Sequence, residues 1–366
     1  MIQKGLKGVV CTETKISHID GEKGRLIYRG FSAQDLAKEH SFEEVAYLLW
    51  NGMLPNTEEL SNTKQQFKQS RKLPNYVKNI IDNIPANHEM LSVLRTAISS
   101  IELYDTKRIT LQDAITLTSL VPAIISYRES IQNNTTYPEE RTDLDHVAYY
   151  LYMLTGEEPS PSYVKALETY MILTMEHGLN ASTFSARVTA STESDLGSAA
   201  TSAIGTMKGP LHGGAPSGVI DLLNDIAKSG DIRGSIQQKV ENGEKLMGFG
   251  HRVYKTMDPR AQAIKETLQD NKKEDDWFDL ALKVEKTAIE VLEELKPGRK
   301  LYTNVEFYAA AVLRELNIPS HLFTATFTAS RMVGWTTHVM EQLEDNTIFR
   351  PSAQYVGPLY EKNLDK

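Results

Sequence analysis

The chain contains 366 residues, of which 40% are hydrophobic and 24% are charged, an ordinary composition for a globular protein. Because a single hydrophobic core stops growing at about 250 to 300 residues, this length predicts two domains. The formal net charge of -8 argues against nucleic-acid binding, which requires a basic face. The sequence has no apolar run of membrane-spanning length and no secretory signal, so we expect a cytoplasmic protein without membrane contact.

The first 30 residues contain short β-like runs on either side of a turn-rich segment. Val9–Cys11 and Leu26–Tyr28 are the runs, and Asp20–Gly24 is the turn, which together predict a small N-terminal β-hairpin. Cys11 is the single cysteine of the chain, so an internal disulfide and a thiolate-rich metal site are excluded. Free cysteine is usually buried, and we predict a buried, structural Cys11.

From there onward nearly every segment has helical periodicity. Ser41 and Glu44 have the spacing of a capping box, which predicts a helix that begins there and ends at Gly52. Asn56 and Glu59 predict the start of the next helix in the same way.

Three later segments also have clear helical signals. A helix is predicted from Ser160 to His177, closed by Gly178, and another at about 194–207. Apolar residues recur at three- and four-residue steps over 277–295, which predicts a long helix that packs one face on the core. The fold class is therefore mainly α, and no complete G-x-G-x-x-G or phosphate-loop motif indicates a nucleotide fold.

The segment Gly248–Arg260 combines features of an anion-binding loop. Its glycines permit close approach of the backbone to a ligand. Asp258 is predicted to cap a helix whose first residue is Pro259 and whose first turn contains Arg260. Helix N-termini attract carboxylates and phosphates, so we predict that His251 and Arg260 belong to an active-site loop.

Three other segments place polar residues beside glycines or at helix ends. They are 176–183 with His177, 209–216 with His212, and 304–307 with Glu306. The histidines are single and far apart in sequence, without the paired spacing of zinc ligands, so no metal site is predicted. A helix-capping role is the alternative for His177, and a first-turn acid stabilised by the helix dipole is the alternative for Glu306.

Two histidines and one carboxylate suit proton abstraction next to a carbonyl group. The carboxylate accepts the proton, and hydrogen-bond donors stabilise the oxygen that gains negative charge. Arg260, Arg331 and Arg350 add planar guanidinium groups that bind carboxylates with two hydrogen bonds. Three arginines suggest a dicarboxylate substrate.

The motifs G-P-L-H-G at 209–213, G-F-G-H at 248–251 and D-P-R at 258–260 resemble, in order along the chain, those of the citrate synthase family. The resemblance is to the short, dimeric type. It implies a two-domain, nearly all-α homodimer with a small N-terminal β-hairpin that closes on oxaloacetate. The large domain is expected at 1–212 and 316–366, and the small domain at 213–315.

The resemblance assigns the family's catalytic groups to His212, His251 and Glu306. His212 is expected to hold the thioester oxygen of acetyl-CoA, and His251 to hydrogen-bond the oxaloacetate carbonyl. Glu306 is the expected base, although the family usually has aspartate at this position. The extra methylene changes the reach of the carboxylate by more than about 1 Å, a distance on which reaction rates depend.

The remaining site residues also follow from the resemblance. It implies that Arg350 reaches into the active site of the partner subunit, and that the enzyme uses no metal or cofactor besides the coenzyme A thioester. The residues expected to bind oxaloacetate are His177, Arg260, Arg331 and Arg350, and those expected to bind coenzyme A are Lys255 and Lys300.

The expected reaction joins acetyl-CoA, oxaloacetate and water into citrate and coenzyme A. An alternative is 2-methylcitrate synthesis from propionyl-CoA, since one methylene in an apolar pocket changes binding by only about 1 to 3 kcal/mol. An alternative of another class is a weakly catalytic ligand-binding or regulatory homologue that has lost proton abstraction at Glu306.

Overall fold

The computed structural model describes residues 2–101, 103, 109–213, 215–251, 253–270 and 276–358. Within these ranges the chain forms sixteen α-helices and one sheet of three short strands, which confirms the predicted mainly α fold. Gly214 and Arg252, which belong to the two predicted histidine motifs, lie outside the described residues. No described helix has the length and apolar character required to cross a membrane.

The N-terminal sheet is antiparallel, with strand order β1 (Ser17–Asp20), β2 (Arg25–Tyr28) and β3 (Phe31–Ser32). The predicted strand at Val9–Cys11 is wrong, because this segment is unpaired and exposed, and Cys11 is exposed with it. The strand that pairs with β2 directly precedes the turn, since a hairpin joins residues at matched distances from its turn.

The first ten helices fill the N-terminal part of the chain. The capping boxes predicted for α2 and α3 are both present, and Gly52 ends α2 with a left-handed backbone conformation (φ 83°). These helices are α1 (Ala33–Glu39), α2 (Phe42–Asn51), α3 (Thr57–Ser70), α4 (Asn75–Asp82), α5 (Met90–Ser99), α6 (Leu111–Gln132), α7 (His146–Thr155), α8 (Pro161–Thr174), α9 (Ala181–Ala190) and α10 (Leu196–Met207).

Six further helices follow. The N-terminal five of them pack on one another, through contacts of α11 with α12 and α15, of α12 with α14, and of α13 with α15. The last helix is largely buried and packs against α2, α6, α8 and α9. The six are α11 (Ala215–Ser229), α12 (Ile232–Glu241), α13 (Pro259–Asp270), α14 (Asp276–Leu295), α15 (Val305–Glu315) and α16 (Phe323–Glu344).

Helix α8 ends at Thr174, earlier than predicted, and the chain turns away before His177. The buried Tyr28 hydroxyl donates to the Glu176 carbonyl oxygen at 2.8 Å and accepts from the Glu176 N–H at 3.2 Å. The Glu176 carboxylate also accepts a hydrogen bond from the N–H of Gly178. These bonds replace the helical ones, so His177 lies in an irregular segment beyond the helix, where its ring contacts Tyr254.

Candidate active site

The His251 loop lies against the start of α15. Gly248 and Gly250 have positive φ angles of 83° and 80°, which glycine adopts without strain. A Cβ atom at Gly248 would lie 2.9 Å from the Phe307 ring. The N–H of Asn304 donates to the Gly248 carbonyl at 2.9 Å, and the Asn304 side-chain amide donates to the Gly250 carbonyl at 3.0 Å. The glycines therefore bring His251 close to the helix that begins with Glu306.

The backbone favours one tautomer of His251. Its Nδ1 atom accepts hydrogen bonds from the N–H groups of Val253 at 3.0 Å and Tyr254 at 3.1 Å. Burial lowers the pKa of His251 to about 4, and the neighbouring Arg260 acts in the same direction. The ring is therefore neutral at pH 7, and the two backbone donors at Nδ1 favour the hydrogen on Nε2. Arg260 Nη2 lies 3.4 Å from Nε2, but this nitrogen is itself a donor and cannot accept that hydrogen.

Asp258 connects Arg260 to the N-terminus of α15. Its carboxylate accepts two hydrogen bonds from the Arg260 guanidinium, from Nε at 3.0 Å and Nη2 at 2.7 Å. It also accepts from the Arg260 N–H at 3.0 Å, the predicted cap of α13, and from the N–H of Val305 at 3.0 Å. Both charged side chains are almost completely buried. Asp258 thus holds the guanidinium and the N-terminus of α15 in one place.

His177 lies beside this loop. Its Nε2 atom is 3.2 Å from the Tyr254 hydroxyl, and its ring centre is 5.5 Å from that of His251, with the two planes nearly perpendicular. Burial lowers the pKa of His177 well below its usual value, and Arg260 and Arg331 lower it further. His177 is therefore a neutral ring among fixed positive charges.

Arg331 approaches the same place from α16. Its Nε donates to the carbonyl oxygen of Thr174 at 2.7 Å, and its guanidinium lies 4.7 Å from the centre of the Phe327 ring. Burial lowers the pKa of Arg331 to about 10, while Glu176 opposes the shift. The group remains positively charged at pH 7, and in the described part of the chain its two terminal nitrogens have no hydrogen bond, so they can bind an anion.

His212 is held at the N-terminus of α9. The Ser182 N–H, one of the helix-terminal donors without an intrahelical partner, points at His212 Nε2 at 3.4 Å, and the Ser182 hydroxyl is 2.8 Å from the same atom. Trp335 donates to that hydroxyl at 3.0 Å. Burial, with a smaller effect of Arg331, lowers the pKa of His212 to about 4. The Ser182 N–H can only donate, which favours a neutral ring that accepts at Nε2 and carries its hydrogen on Nδ1, while the Ser182 hydroxyl also lies 2.8 Å from Asn180 Oδ1.

Glu306 is in the first turn of α15, where its N–H donates to the Asn304 side chain at 3.1 Å. Among the described residues no hydrogen-bond donor reaches its carboxylate. Burial raises the pKa of Glu306 to about 7, against the opposing charges of Arg260 and Lys245. A first-turn acid stabilised only by the helix dipole would have a lowered pKa, so burial outweighs the helix dipole at Glu306.

A cavity of about 440 Å³ opens beside His251. Its wall includes three basic side chains, Lys245, Lys296 and Arg299, which none of the sequence motifs indicated. The sequence signal was available, because all three flank glycine-containing turns, at Gly243 and Gly298. Lys255 and Lys300 are exposed and are not part of the cavity wall.

The structure brings six of the predicted residues into one region and leaves Arg350 outside it. His177, His251, Arg260 and Arg331 form the centre, and the charges of Arg331 and Arg260 act on His212 and Glu306, respectively. Arg350 is exposed in the irregular segment after α16, which is attached to the body where the N–H of Phe349 donates to the Ser191 hydroxyl. Within the described ranges, no cluster of three or more potential metal-binding side chains occurs.

The sequence resembles known proteins along its whole length. A family model described as the C-terminal domain of citrate synthase matches residues 5–352. The chain is 38% identical to citrate synthase of Haloferax volcanii, covering 100% of this chain and 97% of the relative. It is 40% identical to citrate synthase 2 of Bacillus subtilis (97% and 96% covered) and to 2-methylcitrate synthase of Shewanella oneidensis (96% and 94% covered).

Solved structures agree with this similarity. The crystal structure of citrate synthase from Thermotoga maritima superposes with a TM-score of 0.89 at 39% identity, covering 100% of this chain and 98% of the other. A ternary complex of carboxymethyl coenzyme A and oxaloacetate with citrate synthase from Thermoplasma acidophilum gives a TM-score of 0.89 at 31% identity, with the same coverage. This chain belongs to the citrate synthase family.

Proposed function

We propose that this protein condenses acetyl-CoA with oxaloacetate and water to give citrate and coenzyme A. The observation that carries the proposal is the convergence of two buried arginines and two neutral histidines next to a carboxyl group of near-neutral pKa. Full-length relatives named citrate synthase support the same reaction. The solved relative from Thermoplasma acidophilum, in complex with both types of ligand, agrees with it.

Glu306 is the proposed base. Its ionised carboxylate removes a methyl proton from acetyl-CoA, and a pKa of about 7 suits a group that must accept a proton near neutral pH. The electron pair of the broken C–H bond moves toward the thioester oxygen. His212 donates a hydrogen bond from Nδ1 to this oxygen, which stabilises the enol without a metal ion.

His251 and the arginines act on oxaloacetate. The two guanidinium groups of Arg260 and Arg331 bind its carboxylates, together with His177, and the Nε2–H of His251 polarises the ketone. The enol carbon attacks the ketone carbon, and the electron pair of the C=O bond moves to its oxygen. The new alkoxide takes up a proton from solvent, and Glu306 releases the methyl proton to solvent. Water then cleaves the thioester and releases citrate and the coenzyme A thiol. No metal or prosthetic group takes part in these steps.

The cavity beside His251 is the proposed site of coenzyme A. Its basic residues Lys245, Lys296 and Arg299 supply the positive charge that phosphate groups require. Lys255 and Lys300, whose exposed side chains are outside the cavity wall, are proposed to reach the phosphates from solvent.

The proposed domain organisation follows the packing of the helices. Residues 213–315, which contain the mutually packed α11 to α15, form the small domain, and 1–212 with 316–366 form the large one. We further propose a cytoplasmic homodimer in which Arg350, exposed in the single chain, completes the oxaloacetate site of the partner subunit.

Propionyl-CoA is the alternative acyl donor, since a relative of 40% identity is a 2-methylcitrate synthase. Both reactions release a thiol, so one assay tests them. The purified protein is mixed with oxaloacetate and either acetyl-CoA or propionyl-CoA, and free coenzyme A is measured together with the acid product. Faster turnover of acetyl-CoA supports the proposal, and preference for propionyl-CoA supports the alternative. If neither donor releases free coenzyme A, the remaining alternative is the weakly catalytic ligand-binding homologue.

A further inference from the structure

Glu285 is a buried carboxylate on α14 at the point where three helices meet. It is 5% exposed and accepts hydrogen bonds from side chains on either side. Lys265 of α13 donates to its Oε2 at 2.6 Å, and Tyr308 of α15 donates to the same oxygen at 2.5 Å. The hydroxyl of Thr303 donates to Oε1 at 2.7 Å. All of these bonds have a charged partner, which makes them stronger than bonds between neutral groups.

Two of these donors flank Glu306. Thr303 precedes the N-terminal cap of α15, and Tyr308 follows Glu306 within the first two turns. Both are almost fully buried, so neither hydroxyl has water as a substitute partner. Burial raises the pKa of Tyr308, as does the charge of Glu285, and the phenol therefore remains a donor. One carboxylate thus fixes the chain before and after the base residue.

The opposite side of the α15 start is held by the His251 loop and by Asp258. Asp258 accepts the Val305 N–H at 3.0 Å, and the Gly248 carbonyl accepts the Asn304 N–H at 2.9 Å. Asp258 also binds Arg260, so a substitution of Asp258 would disturb the proposed oxaloacetate-binding arginine as well as α15. Within the described residues, Glu285 has no hydrogen bond to a residue placed in the proposed site, so its effect on the reaction passes through the position of α15.

We propose that Glu285 is a positioning residue that sets the reach of the Glu306 carboxylate toward the thioester methyl group. This role rests on the proposed function. Glutamate at 306 extends further than the family's usual aspartate, and a displacement of about 1 Å can change the rate about a hundredfold. The N-terminus of α15 is hydrogen-bonded to Glu285 on one side and to Asp258 and Gly248 on the other. These bonds hold the Glu306 carboxylate at a fixed distance from the methyl group of the substrate.

Glu285→Gln keeps the size of the side chain but provides one acceptor oxygen and one amide group. The NH2 group of glutamine can only donate hydrogen bonds, so either Thr303 or the Lys265 and Tyr308 pair loses its acceptor. We expect kcat to fall about tenfold while KM for oxaloacetate stays within about twofold, since Glu306 is displaced and the arginines that bind oxaloacetate are not. Tyr308→Phe removes one bond and should lower kcat less.

Glu266→Gln is the matched control. Glu266 lies on α13 and has a single ion pair with Lys38 at 2.8 Å, but it is partly exposed and has no contact to α15 in the described hydrogen bonds. It should keep the kcat of the parent. Melting temperatures of all variants separate loss of folded protein from loss of rate.

A double-mutant cycle with Glu306→Asp gives a readout that a purely structural role would not change. If Glu285 acts through the reach of Glu306, Glu285→Gln should lower kcat clearly less in the aspartate background, because the shorter carboxylate is already displaced. Equal effects in both backgrounds, or an unchanged kcat of Glu285→Gln in an active parent, would overturn the positioning role alone. A parent that releases no coenzyme A contradicts the proposed function and this role with it.

Discussion

Backbone N–H groups contact one ring nitrogen of each histidine that we propose to be catalytic. Two loop N–H groups occupy Nδ1 of His251, and the start of α9 occupies Nε2 of His212. Because burial lowers the pKa of both rings to about 4, they act as neutral donors over the physiological pH range. A neutral ring N–H can donate a hydrogen bond to a developing oxyanion without any change in its own protonation state.

The residue-scale prediction concerns Glu306. Glu306→Gln should reduce condensation by at least about a hundredfold, because the amide cannot accept the methyl proton. Glu306→Asp should also reduce kcat, since the shorter carboxylate falls short by about 1 Å in a site fixed around glutamate.

The measurement is exchange of the acetyl-CoA methyl hydrogens in heavy water, followed by NMR, alongside kcat. L-malate replaces oxaloacetate in the exchange assay, because it has no ketone to attack. If Glu306→Gln exchanges these hydrogens at the parent's rate, the base is another group. A higher kcat for Glu306→Asp would mean that the site only tolerates glutamate.

At the scale of elements, helix ends supply most of the site. Asn304 caps α15 beside Glu306, Asn180 caps α9 beside Ser182, and Asp258 caps α13 beside Arg260. At α9 the Ser182 N–H points at His212, whereas at α15 and α13 the N–H groups of Val305 and Arg260 are bonded to Asp258. The partial positive charge of these termini favours the anionic substrates proposed here.

The element-scale prediction concerns Glu43, a buried acid that joins α2 to the start of α7. Its Oε1 accepts the His146 N–H at 2.8 Å, and burial raises its pKa from 4.5 to about 7. The folded state therefore binds a proton that the unfolded chain releases above pH 4.5. The resulting stability is fully present below pH 4.5 and is lost as pH rises through about 7.

Glu43→Gln should remove this pH dependence, because the amide accepts the same hydrogen bond and has no charge to bury. Relative to the parent, the variant should gain about 2 to 3 kcal/mol at pH 8 and much less at pH 5. Thermal unfolding at both pH values measures the difference, with Glu58→Gln, an exposed change on α3, as control. A gain of the same size at both pH values would show that Glu43 is not protonated in the folded protein.

At the scale of the whole molecule, the site is assembled from segments distant in sequence. His177 follows α8, Arg331 is on α16, and His251, Arg260 and Glu306 come from the group α11 to α15. Contacts of α8 with α13 and α15 bring these groups together. A ligand that binds Arg260 and Arg331 at once therefore couples the two proposed domains.

The prediction at this scale is that oxaloacetate tightens coenzyme A binding. Domain closure on the dicarboxylate should complete the coenzyme A cavity, and coupling of this kind changes affinity by at least about fivefold. Calorimetric titration with coenzyme A, which has no acyl group to react, measures affinity with and without saturating oxaloacetate. Succinate, which lacks the ketone, tests whether the two carboxylates suffice. Equal affinities under all conditions would rule out the coupling.

The sequence by itself determined the helical class, the starts of α2, α3 and α13, and the residues of the histidine motifs. These features depend on residues close together in the chain. A capping box needs only a donor and an acceptor three residues apart, as in Ser41 and Glu44, and a proline at the first helical position needs no distant partner.

Only the tertiary structure decided the features that require partners distant in sequence. Helix α8 ends early because Tyr28 bonds to Glu176, and the first strand lies at Ser17–Asp20 because its partner strand is placed by the turn. The same is true of the cavity wall and of Glu285, whose bonds to Thr303 and Lys265 join separate helices. Local periodicity contains no information about such contacts, since their free energy appears only when folding brings the segments together.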